Sequence, residues 1–161
     1  MSPLLRQHSS IPASPPTTGG SRSRPVVLAT LAVPFDAESA RVALQAAMEG
    51  QVCLIVVDAV EMPLWPQAMA VRRADLELDE DREQIRKMVG HAQALGLEVE
   101  HLRVRSPRPV RALLEVAGER EAGLLVLGPD PTRLKPRLFR RAVRRVRRCA
   151  SCLIWVAGEG P

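Results

Sequence analysis

In Pro109-Val110-Arg111-Ala112-Leu113-Leu114-Glu115-Val116-Ala117 and the adjoining Glu121-Ala122-Gly123-Leu124-Leu125-Val126-Leu127-Gly128, a helical period gives way to a strand. Val110, Leu113, Leu114 and Ala117 recur at i, i+3, i+4 and i+7, which puts one apolar stripe on one helix face. Pro109 suits a first helical position, where its missing N–H goes unused. Gly123 to Leu127 is then a continuous apolar run of strand length. A strand that is apolar throughout is buried on both faces, as in a parallel sheet.

The same alternation extends outward in both directions. Further strand-length runs are Val26 to Val33, Val52 to Val60, Leu97 to Val104 and Cys152 to Val156. Helical patterns lie between them. One covers Asp36 to Met48, with Ala40, Ala43, Leu44, Ala47 and Met48 as its apolar set. A second carries Ile85, Met88, Val89 and Ala92. A fourth, opened by Pro136, carries Leu138, Phe139, Ala142, Val143 and Val146. Asp36 is placed to cap the first helix, and Gly50 and Gly96 stand where left-handed residues end helices. Met62 to Arg73, with Pro63 and Pro66, reads as the one long irregular connection, with Leu64-Trp65 as a packed patch or partial lid. Strand–helix alternation of this kind predicts a single α/β domain, with helices on both faces of a parallel sheet.

Composition sets the outer limits. The 161 residues fit one domain, and 46% hydrophobic content with 2% aromatic content means an aliphatic core. Residues 1–24, rich in Ser, Pro, Thr and Gly, read as a disordered tail, and residues 25–161 as the domain. There is no apolar run long enough for a transmembrane helix and no secretory signal pattern. Three cysteines (Cys53, Cys149 and Cys152) make no disulfide framework and suit a reducing cytoplasm.

Charge is concentrated in one place. Residues 131–148 hold nine basic side chains and no acid, while the other 14 basic and 18 acidic residues of the chain leave a net of −4. Arg140, Arg141, Arg144, Arg145, Arg147 and Arg148 fall opposite the apolar stripe of the fourth helix. Such a face is either simply solvated or meets a phosphate-bearing partner, whether nucleic acid, an anionic membrane surface or a nucleotide. The absence of interleaved aromatics speaks against single-strand readout. Asp75, Glu77, Asp79, Glu80, Asp81 and Glu83 read as acids favouring a helix N-terminus, or as partners for the basic helix of another subunit. Cys149-x-x-Cys152 has redox spacing but follows a helix end, the wrong pole for a reactive thiol, and reads as structural. His8, His91 and His101 are isolated, so no zinc set forms, and no Ser/His/Asp or Cys/His set is present.

The ordered segments resemble the universal stress protein family. The Pro109–Gly128 segment is similar to its Pro-led helix feeding an A-D-L-I-V-L-G strand, Ile55-Val56-Val57-Asp58 to its second strand, and Arg147 to Val156 to its R-R-A-P-C-P-V-L-V-V ending. The resemblance covers residues 25 to 157. It implies five parallel strands in the order 3-2-1-4-5 and a homodimer joined along the last strand, here Leu153, Ile154, Trp155 and Val156. It also implies, in many members, ATP held by a Gly-x2-Gly-x9-Gly-Ser/Thr loop after the fourth strand. Gly128 fills the first position, but Pro131 stands at the second. Arg141 and Ala142 fill the last two, or Phe139 and Arg140 if two residues are deleted, and no glycine lies between Gly128 and Gly158. The acid expected at the end of the first strand has no clear counterpart: Thr30 or Leu31 stands near that place.

The expectation is therefore a non-catalytic, cytoplasmic regulatory module with no cofactor, not an enzyme, whose ATP loop has been lost. Two alternatives remain open. In one, the side chains of Arg133, Lys135 and Arg137 hold nucleotide phosphates beside Gly128. In the other, an anionic surface docks on Arg140, Arg141, Arg144, Arg145 and Arg148.

Overall fold

The computed structural model describes residues 23–62 and 68–159, without the side chains of 68–78. The proposed N-terminal tail (residues 1–22 of it) and the Leu64-Trp65 patch lie outside the described residues.

The elements run β1 (Val26–Thr30), α1 (Ala37–Gly50), β2 (Leu54–Glu61), α2 (Ala68–Ala94), β3 (Val99–Ser106), α3 (Pro109–Glu119), β4 (Leu124–Leu127), α4 (Pro136–Cys149) and β5 (Leu153–Val156). All five strands pair in parallel in the order β3-β2-β1-β4-β5. The chain is thus the single α/β domain that its alternation predicts.

Alternate residues of each strand enter opposite layers. Val27, Ala29, Ile55, Val57, Leu125 and Leu127 pack with Leu113 and Ala117 of α3 and Val143 and Val146 of α4. Val26, Leu28, Leu54, Val56 and Val126 pack with Ala43 and Ala47 of α1 and Ile85 and Ala92 of α2. This explains the unbroken apolar runs: each strand supplies both layers at once.

Several boundaries differ from expectation. β1 stops at Thr30 rather than Val33, because Ala32 turns left-handed (φ 57°) and Thr30 Oγ1 donates to Val33 O at 2.5 Å. Gln51 rather than Gly50 takes the left-handed position after α1, with φ 50°. Gly96 does adopt it after α2, with φ 84°. α2 begins at Ala68, so the irregular connection is shorter than Met62–Arg73. β3 runs to Ser106 rather than Val104, and Leu138, expected in the buried stripe of α4, is half exposed. Pro109 and Pro136 open α3 and α4 as their fixed φ favours.

Candidate functional site

Open parallel sheets bind ligands outside the carboxyl ends of their strands, where the strand order reverses. Here that point lies between β1 and β4, and two loops meet over it: residues 31–36 after β1 and residues 128–135 after β4. They are tied together by an antiparallel bridge between Phe35 and Pro129. Asp36 N–H donates to Gly128 O at 3.0 Å, and Asp130 N–H to Pro34 O at 2.8 Å.

This tie determines what the loop after β4 can offer a ligand. Gly128 N–H donates to Ala29 O, Asp130 N–H to Pro34 O, and Arg133 N–H to Asp130 O. Thr132 N–H donates to Asp130 Oδ1 at 2.9 Å. Pro129 and Pro131 have no N–H. Every backbone donor from Gly128 to Arg133 is therefore engaged or missing, whereas a phosphate cradle needs several free and convergent.

Gly128 is also held by packing. A Cβ built on it would meet Ser39 Cβ at 2.3 Å and Ser39 Oγ at 2.8 Å. Ser39 is fully buried in the first turn of α1, where its N–H and hydroxyl both donate to Asp36 Oδ2, at 3.0 and 2.9 Å. The positive pole of α1 thus already faces its own carboxylate.

The other site candidates are placed as follows. Arg133 reaches across the edge to Asp81 of α2, with Nη2 3.0 Å from Oδ1, so it joins the loop after β4 to the opposite helical layer. Lys135 is the exposed N-cap residue of α4 without a side-chain capping bond, and Arg137 is exposed one residue past Pro136. Arg140, Arg141, Arg144, Arg145, Arg147 and Arg148 are all exposed, opposite buried Ala142, Val143 and Val146. Arg147 pairs with Glu159. On the outer strand β5, Leu153 is 75% exposed, Ile154 and Trp155 are half-buried and Val156 is buried.

Cys53, Cys149 and Cys152 are free thiols, and burial pushes Cys53 and Cys152 up. Among the described residues no group of His, Cys, Asp and Glu is arranged to hold a metal, and no helix is long and apolar enough to cross a membrane.

One feature of the carboxyl edge escaped the sequence reading. Asp58 interrupts the apolar run of β2 between Val57 and Ala59 and is 3% exposed. Parallel register sets it beside Arg103 of β3, Nε to Oδ2 3.9 Å. That distance gives charge attraction without a hydrogen bond, and among the described residues Asp58 Oδ1, Arg103 Nε and Nη2, and Arg82 Nε lack partners. Burial raises the Asp58 carboxyl above its ordinary value of 3.8, and the Arg103 guanidinium and the Ala32 backbone N–H oppose this only in part. The sign in the sequence was one acid inside the apolar run of β2; Arg103 is one of several polar residues of β3.

A pH dependence follows. With its folded pKa raised, Asp58 binds its proton more tightly in the native state than in the unfolded chain. Its contribution to stability is fully present below pH 3.8 and is lost as pH rises through the folded value. Urea denaturation of wild type and Asp58→Asn across this range should show wild type losing ground to the variant as pH rises. A difference that runs the other way would show that Arg103 outweighs burial, and a constant one that the two balance.

Residues 24–157 match the Universal stress protein family. The chain belongs to this family, whose parallel fold it shares with solved universal stress proteins. One such protein, in complex with cAMP, superposes with a TM-score of 0.62 at 22% identity, covering 87% of this chain and 100% of its own. One from Archaeoglobus fulgidus gives 0.57 at 22% identity, over 83% and 97%. One from Arabidopsis thaliana with AMP bound gives 0.53 at 11% identity, over 86% and 95%. No curated protein matches the chain significantly.

Proposed function

We propose that this chain is a non-catalytic regulatory module of the universal stress protein family that does not hold ATP through the loop after β4. The observation that carries the reading is the engagement or absence of every backbone N–H from Gly128 to Arg133. Solved relatives carry cAMP or AMP. In this chain the carboxyl edge between β1 and β4 carries the Phe35–Pro129 bridge and the Arg133–Asp81 pair. Free thiols suit a reducing cytoplasm. Mass spectrometry of small molecules released from freshly purified protein should find no stoichiometric nucleotide. A stoichiometric adenine nucleotide would refute the reading.

One observation favours a second reading, in which side chains hold nucleotide phosphates. The N-terminus of α4 has no side-chain cap and carries Lys135 and Arg137, with Arg133 and Gly128 in the loop before it. In that case nucleotide would be recovered with wild type and lost from Lys135→Ala/Arg137→Ala.

The module is a homodimer in this account, joined along β5. Outer strands seek pairing unless charge, proline or a bulge blocks them, and β5 presents Leu153, Ile154 and Trp155 without any of these. Sedimentation at tens of micromolar should show a dimer for wild type and a monomer for Leu153→Lys. A monomeric wild type would remove the β5 interface.

A further inference from the structure

We propose that the arginine face of α4 binds the phosphate backbone of duplex nucleic acid without reading its sequence. The surface lies on α4, beyond the loop after β4; it shares Arg137 with the second reading above, and its other arginines stand whether or not that loop holds nucleotide.

The charge is concentrated and uncommitted. Among the described residues, the basic side chains of the 131–148 segment that pair with a carboxylate are Arg133 with Asp81 and Arg147 with Glu159. Arg137, Arg140, Arg141, Arg144, Arg145 and Arg148 are exposed with no carboxylate within salt-bridge distance among the described residues. At 100° per residue, Arg137, Arg141, Arg144 and Arg148 follow the crest of the helix, and Arg140 and Arg145 flank it. The crest spans about 16 Å at the α-helical rise, the axial length of about five phosphates on one strand. Guanidinium forks suit phosphate oxygens. The helix is also held in place: Ala142, Val143 and Val146 are 3%, 6% and 0% exposed beneath it.

Other anionic partners fit less well. A membrane-surface helix needs an apolar face to insert, and here that face lies against the sheet. Single strands call for stacking aromatics, and Phe139, the aromatic of this helix, packs inward. Five acids that a second copy could offer, Glu38, Asp79, Glu83, Glu100 and Glu115, each already pair with an arginine of their own chain.

The test is anisotropy of a labelled mixed-sequence DNA duplex of about 20 base pairs, titrated with full-length protein at salt between about 50 and 200 mM. With four crest contacts, log K should fall against log salt with a slope of about −4, roughly a two-hundredfold loss across that range. Arg141→Gln/Arg144→Gln/Arg148→Gln should cut the slope by about 3. Arg41→Gln/Arg86→Gln/Arg111→Gln removes the same charge from arginines that already have acidic partners and should bind like wild type. If the first triple loses its helical circular dichroism, Arg144→Gln and Arg148→Gln singly should each lower the slope by about 1. No binding at the lowest salt, equal losses in both triples, tighter binding to single strands, or equal binding to phosphatidylserine vesicles at matched phosphate would each overturn the proposal.

Discussion

Gly128→Ala is expected to destabilise the domain by about 3 kcal/mol, although it adds a single methyl group. The backbone at Gly128 is not called on for an unusual conformation; the problem is space. The new Cβ would lie 2.3 Å from Ser39 Cβ, which is fixed to the first turn of α1 and cannot swing aside as a long side chain could. Either α1 shifts off the sheet or β4 does, and both are buried. The added group and its obstacle are known, so the effect should be reversible. Ser39→Gly removes the opposing carbon. It also loses the hydroxyl bond to Asp36 and introduces glycine into a helix, at about 1 kcal/mol each. In urea denaturation the double variant should nevertheless be more stable than the sum of the single changes by about 1–3 kcal/mol. Additive losses would place the role of Gly128 elsewhere. A phosphate-binding glycine would show a different pattern, in which ligand affinity falls while stability holds.

Leu125→Ala should cost about 2–5 kcal/mol. β4 is short and lies between β1 and β5 in the sheet, pairing with both. Leu125 is fully buried among residues of α3, α4 and the neighbouring strands. Truncation removes about three methylenes' worth of transfer energy and leaves a hole that four packed elements cannot close. Leu138→Ala on α4 is the internal standard: its side chain is half exposed, so the same chemical change should cost about 1 kcal/mol or less. Comparable losses at both positions would mean that α4 sits deeper than described.

The fold could be read in the sequence because each strand feeds two layers. Val26 to Ala29 and Leu124 to Leu127 are apolar at consecutive positions, which only a doubly covered strand requires. Boundaries were less legible where a residue other than glycine took the left-handed conformation, as at Ala32 and Gln51. The start of α2 was obscured by Pro63 and Pro66, which suggested a loop reaching further than it does. At the carboxyl edge, the missing glycines after Gly128 were visible. The reason their loss matters was not: Pro34 and Ala29 take the amides of that loop only once the two loops are brought together. Asp58 and Arg103 likewise meet only through the register of β2 and β3.

In the function proposed above, the loop after β4 is part of the packing and not a phosphate cradle. Equilibrium dialysis of the purified protein against Mg-ATP tests it most directly. The account predicts no saturable binding at micromolar nucleotide. Stoichiometric micromolar binding that is abolished by substitution at Gly128 in a variant that remains folded would contradict it.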